Sequence, residues 1–143
     1  MPGFRKRLIG FLAFLAALSL APAVAQDSGG GQEVRALIQR QLDAFARDDG
    51  PGAYALAAPG IKSIFTDSGI FMDMVRNRYT PVYRHRSAEF DVLDLQGDSA
   101  TQAVTIVDEK GEVWTAVYKL SRQPDGSWLI SGCALIKADA KDT

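Results

Sequence analysis

The segment Glu112–Ile136, EVWTAVYKLSRQPDGSWLISGCALI, constrains this chain more than any other. At its centre, Pro124-Asp125-Gly126 is a turn for chemical reasons. Proline presets φ at the first turn position, aspartate tolerates the second, and glycine supplies a positive φ at the third. A three-residue loop closed by such a glycine is a type I turn plus bulge that joins two antiparallel strands. Counting outward from Gln123 opposite Ser127, Leu120 faces Ile130, Tyr118 faces Gly132, Ala116 faces Ala134 and Trp114 faces Ile136. One face then carries Trp114, Tyr118, Leu120, Trp128, Ile130 and Ile136. Each of these side chains contributes roughly 1.5–3 kcal/mol when fully buried, so the face requires cover.

The same turn logic recurs upstream. Gly111 stands third in Glu109-Lys110-Gly111, so a second strand, Ala100–Asp108, pairs Ile106 with Trp114 and Val104 with Ala116. Phe90, Val92, Leu93 and Leu95 mark a first strand ending at Gly97-Asp98, and its imperfect alternation predicts a bulge. The opposite face of this meander carries Ala103, Thr105, Val107, Val113, Thr115, Val117, Cys133 and Leu135. A contiguous apolar patch of that kind marks an interaction surface.

Before the strands the period is helical. Val34, Leu37, Ile38, Leu42 and Phe45 recur at helix spacing from Glu33, and Gly50-Pro51 are expected to stop that helix. Pro59-Gly60 divides the next stretch into short pieces near Ala53–Ala57 and Ile61–Phe65. Ser68 is expected to cap a third helix with Ile70, Phe71, Met74 and Val75 as its apolar stripe, and Met72 and Met74 as gap-filling core. Helices followed by an antiparallel meander define an α+β domain with the helices covering one side of the sheet.

Residues 1–25 read as a signal peptide: Arg5, Lys6 and Arg7, an apolar run from Leu8 to Leu20, then Ala23-Val24-Ala25 as cleavage site. The run is short for a membrane span, so no stable anchor is expected after cleavage, and the mature protein is expected in the periplasm or outside the cell. Residues 26–32 read as a flexible leader, 33–137 as one domain and 138–143 as a polar tail. Beyond residue 25 there are 13 basic against 17 acidic side chains, a net of about −4 that disfavours nonspecific binding of nucleic acid. With one cysteine, an intramolecular disulfide is excluded.

Three stretches, IQRQLDAFARDDGPGAYALAAPGIKSIF, FMDMVRNRYTPVY and SWLISGCALI, resemble the bacterial family called domain of unknown function 4864, over Glu33–Ile136. That family belongs to the nuclear-transport-factor-2-like superfamily. The resemblance implies a cone-like fold, N-terminal helices packed on a curved four-stranded antiparallel sheet, whose interior is often a ligand pocket. It also implies a homodimer through the outer sheet face. Enzymes of the superfamily place Asp, His or Tyr inside the cone, but no catalytic motif of theirs matches this chain, so the resemblance assigns no catalytic residue.

The residues themselves offer few sites. One His and one Cys, far apart, make no metal-ligand pattern, no phosphate loop is present, and no cofactor is expected. Asp48-Asp49 and Asp108-Glu109 read as solvated turn residues. Cys133, opposite Val117 on the outer face, reads as a packed, unreactive thiol. The basic segment RNRYTPVYRHR, residues 76–86, is the candidate mouth of a pocket walled by Trp114, Tyr118, Phe71 and Ile106. Tyr79 and Tyr83 would supply hydroxyls and Arg84 or Arg86 a cation. Against this stands a plain solvated rim, with Asp73, Glu89 and Asp91 pairing the arginines. His85, as a neutral imidazole, or Asp73 is the candidate general base of a rival lyase or isomerase. The expectation is noncatalytic binding of a small apolar or anionic ligand, with a pocketless dimeric interaction module as the other rival.

Overall fold

The computed structural model describes residues 29–139. The expected signal peptide, leader residues 26–28 and tail residues 140–143 lie outside them. Among the described residues five helices come first: α1 (Gly29–Ala46), α2 (Gly50–Ala55), α3 (Pro59–Ile64), α4 (Ser68–Arg78) and α5 (Thr80–Tyr83). Four strands follow, β1 (His85–Gln96), β2 (Ser99–Asp108), β3 (Val113–Arg122) and β4 (Trp128–Lys137), paired in sequence order as an antiparallel sheet. The α+β architecture is the expected one.

Both hairpin loops form as their residues dictate. Gly111 and Gly126 take φ of 80° and 87°, and Gln123 N–H donates to Ser127 O at 2.7 Å. The β2–β3 register matches the count, with Ile106 on Trp114 and Val104 on Ala116. The predicted irregularity in β1 lies between Phe90 and Leu93. There the buried Gln102 carboxamide donates to Asp91 O at 3.1 Å and Ala103 O at 2.8 Å, answering a carbonyl the bulge leaves unpaired.

The β3–β4 register holds only to Leu120–Ile130. An irregularity there shifts the pairing by one residue, so Tyr118 faces Cys133, not Gly132, and Ala116 faces Leu135. Side chains alternate with period two, so the slip exchanges faces. Cys133 and Leu135 turn inward against the core, while Ile136 turns out and is 57% exposed. This corrects the expected assignment of all three. The backbone of Ile130 explains where the ladder breaks. Its N–H donates to Leu56 O at 2.9 Å and its carbonyl accepts from Ala58 N–H at 2.7 Å, so the segment between α2 and α3 clamps the β4 edge. Beyond that clamp Ser131 is the extra residue.

The helices depart from expectation at their ends. Helix α1 begins at Gly29, so residues 29–32 are helical rather than part of a flexible leader, and Gly31 is buried. At its other end Gly50-Pro51 do not stop α1 but start α2. The stop is Asp48, at φ 55°, where Asp49 N–H reaches back to Ala44 O at 2.8 Å and Asp48 N–H to Phe45 O at 3.1 Å. These two bonds satisfy the last carbonyls of the helix, with Asp48 in the left-handed position usually given to glycine. Asp67, not Ser68, caps α4 through a bond from Ile70 N–H at 2.9 Å. On that helix Met72 takes the buried place expected of Ile70, which is 48% exposed.

The core lies between α1, α2, α4 and the inner sheet face, centred on Ile38, Leu42, Val104, Ile106 and Tyr118. The inward register of Cys133 has a chemical consequence. Burial pushes its thiol from 9.0 up to about 12. Such a thiol carries on the order of a thousandfold less thiolate than an ordinary one at pH 8. Ellman's reagent at pH 8 is expected to leave native protein essentially unlabelled and to titrate one thiol in denaturant. Rapid native labelling would place Cys133 on the open outer face and remove the slip.

Candidate functional site

Between α1, α3, α4 and the inner face of β3 and β4 lies a cavity of about 620 Å³, within the usual range of small-molecule sites. Phe45, Phe65 and Phe71 form an aromatic wall, Phe71 standing 6.4 Å from Phe45 and 6.3 Å from Phe65 between ring centroids. Ile61, Met74, Val75, Val82 and Ile130 supply aliphatic surface. The clamp on β4 positions this wall, because it fixes the start of α3 and hence Ile61 and Phe65. Asn77 and Arg78, at the end of α4, are the exposed part of the lining.

The expected pocket is therefore present, but its lining differs from the sequence reading. Tyr118, Phe71 and Tyr79 line it, while Trp114 and Ile106 do not. Trp114 instead donates its indole N–H to Asp108 at 3.0 Å. Asp108 also accepts from Lys110 and Glu112 N–H, each at 2.9 Å, so it is a loop anchor rather than a solvated turn residue. Burial pushes its carboxyl up, but the Trp114 and backbone bonds outweigh that and hold it below the ordinary value.

Most of the basic segment is committed elsewhere. Arg84 lies over the Tyr83 ring at 3.9 Å and bonds Asp48 at 2.7 Å and Phe45 O at 2.9 Å. Tyr83 donates its hydroxyl to Asp48 and accepts from Arg76 at 3.3 Å. Asp48 is solvent-exposed, as expected of a turn residue, but it also ties the end of α1 to the start of β1. Asp49 likewise caps α2, accepting from Gly52 N–H at 3.0 Å. The Tyr83 hydrogen bond first, then Arg84, hold the Asp48 carboxyl below its ordinary 3.8. Its folded pKa is depressed, so the stability it contributes is present above pH 3.8 and lost as pH falls below that value.

Arg86 donates to Glu109 O at 2.5 Å, and Arg76 pairs with Asp73 at 3.2 Å on the surface. His85 is held through Nδ1 by Val82 O at 3.0 Å. Neither His85, Asp73, Tyr83, Arg84 nor Arg86 lines the cavity. Glu89 and Asp91 pair none of these arginines; Asp91 accepts from Thr105 at 2.5 Å.

What remains at the cavity is Arg78, which makes no hydrogen bond or ion pair among the described residues. Sequence reasoning included it in the basic segment but gave the role of cation to Arg84 or Arg86. The signal was its place at the C-terminus of α4, one turn past Val75. Two largely buried polar side chains also line the cavity, Tyr118 and Gln41. The Tyr118 hydroxyl, fully buried, makes no well-formed hydrogen bond, although the Cys133 thiol is near enough to perturb it. Gln41 is 4% exposed and its carboxamide has no hydrogen bond among the described residues. A buried hydroxyl without a well-formed hydrogen bond, such as that of Tyr118, costs about 1–3 kcal/mol. Tyr79, by contrast, is spent on Cys133 O at 3.1 Å. Burial first, and Cys133 second, push the Tyr118 hydroxyl well above its ordinary value, so it stays protonated near neutrality.

The family model described as "Domain of unknown function (DUF4864)" matches residues 28–143. The chain belongs to that family. An NTF-2 like protein of unknown function from Silicibacter pomeroyi DSS-3 has a similar structure, with TM-score 0.56 and 16% identity over 78% of this chain and 98% of that one. An NTF2-like protein of unknown function from Shewanella baltica OS155 gives TM-score 0.54 and 12% identity over 78% and 96%. At such identities the likeness establishes the fold, which is NTF2-like. No curated protein shows significant sequence similarity to the chain.

Proposed function

We propose that this member of the DUF4864 family is a noncatalytic binding protein for a small, largely apolar molecule with one anionic end. The observation that carries this reading is the 620 Å³ cavity, walled by Phe45, Phe65 and Phe71, with an uncommitted Arg78 at its exposed rim. A guanidinium there suits a carboxylate, sulfonate or phosphate. Among the described residues the lining contains no carboxylate and no imidazole, and its two weak acids, Tyr118 and Cys133, are both pushed up by burial. General-base chemistry through His85 or Asp73 loses its support because neither reaches the cavity.

The test uses two probes of nearly equal shape, 1-anilinonaphthalene-8-sulfonate and N-phenyl-1-naphthylamine, which lacks the sulfonate. Arg78→Ala is expected to weaken the sulfonate probe by about 10- to 100-fold, the worth of a charged hydrogen bond. The neutral probe should bind wild type and variant alike. Equal sulfonate affinity in both proteins would overturn the role of Arg78.

The same proposal includes export, read from residues 1–25, and a homodimer through the outer sheet face. That face, with its register corrected, carries Val113, Thr115 and Val117 along β3, with Ile136 beside Thr115; Val113 and Ile136 are 42% and 57% exposed. Exported protein is expected to have an intact mass beginning at Gln26 and to sediment as a dimer that Val117→Lys converts to monomer. A full-length or monomeric wild type would contradict the corresponding half.

A further inference from the structure

The cavity has two chemically distinct ends. Arg78 and Asn77 form an exposed, cationic rim, and Asn77 already donates to Asp73 O at 2.8 Å. Tyr118 and Gln41 are 0% and 4% exposed; the Tyr118 hydroxyl has only the Cys133 thiol near it, and the Gln41 carboxamide makes no hydrogen bond among the described residues. Cys133, directly across the strand from Tyr118, adds a weak S–H donor to the same lining.

We infer that Gln41 and Tyr118 form a polar subsite at the inner end of the cavity that receives a neutral carbonyl oxygen of the ligand. The ligand class is therefore a monoanionic oxo-acid, with an apolar body, a carboxylate at Arg78 and a ketone or amide carbonyl within. This inference rests on the cavity reading above and adds to it the chemistry of the buried end.

Three features favour this class over others. The available groups supply three donors, a phenol O–H, a carboxamide NH₂ and a thiol, beside the Gln41 carboxamide oxygen as an acceptor. A carbonyl oxygen has two lone pairs and accepts from two donors at once. Burial keeps the phenol and the thiol protonated near neutral pH, so both remain donors under working conditions. A second carboxylate is disfavoured, because no cation lines the inner end and an unpaired buried charge is costly. A purely hydrocarbon end is also disfavoured, since it leaves both polar groups without partners after the mouth is filled.

Other polar orphans do not offer a comparable site. The Gln102 oxygen and the Trp128 indole N–H are buried without partners but do not line the cavity.

The test displaces 1-anilinonaphthalene-8-sulfonate from the full chain with 4-oxo-4-phenylbutanoate and with 4-phenylbutanoate. The two acids differ by one carbonyl in place of a methylene. Wild type is expected to prefer the oxo-acid by about tenfold, the worth of one to two neutral hydrogen bonds. Tyr118→Phe and Gln41→Leu should each reduce that preference severalfold while leaving 4-phenylbutanoate affinity unchanged. Tyr118→Phe should melt at or above the wild-type temperature, because the hydroxyl it removes has no partner to lose. A wild type that binds both acids equally overturns the inference and leaves the cavity reading standing. So does a preference that survives in both variants, or a Tyr118→Phe protein that loses stability. Failure of both acids to displace the probe overturns the cavity reading and this inference with it.

Discussion

The backbone clamp on Ile130 is the constraint on which the rest of the site depends. By bonding Leu56 O and Ala58 N–H, Ile130 uses its main-chain groups on the side away from β3. The ladder then resumes one residue out of step, and everything beyond Ser131 in β4 changes face. One event therefore does two things. It anchors α3, with Ile61 and Phe65 above the sheet, and it turns Cys133 inward beside Tyr118. A regular ladder would instead have placed the absent side chain of Gly132 opposite Tyr118. The cavity is the space between these two consequences.

A second constraint holds the helical side. Asp48 sits in a left-handed conformation that a non-glycine residue adopts at some cost, and it bonds both Tyr83 and Arg84. That network joins the end of α1 to the start of β1 and draws the Arg76 and Arg84 guanidiniums onto one phenol oxygen, that of Tyr83, to which both donate. The arginines so engaged are structural. Arg78, two residues after Arg76 and so on a different side of α4, lines the cavity instead.

Much of the fold was legible because two short loops carry their own geometry. Gly111 and Gly126 demand positive φ, which sets loop length, and loop length sets register as far as the first irregularity. The β2–β3 pairing was therefore readable in full. The slip in β4 was not, since its cause is a contact with Leu56 and Ala58 some seventy residues earlier in the chain. Its one local sign was Gly132, because a glycine inside a strand often marks a bulge. The candidate site was readable as a segment but not as residues. Composition drew attention to positions 76–86, yet which arginine is free depends on Asp48, Asp73 and Glu109 O, groups brought together only by the fold. Gln41 gave no signal at all, lying on the buried face of an amphipathic helix where a leucine would have looked equally natural.

The most direct measurement of where this protein binds is methyl NMR with 1-anilinonaphthalene-8-sulfonate bound. Intermolecular contacts are expected from the probe to the methyls of Ile61, Met74, Val75, Val82 and Ile130, which line the cavity. Contacts confined to Val113, Val117 and Ile136 on the outer sheet face would contradict a cavity-binding protein and identify the chain as one that acts through its surface.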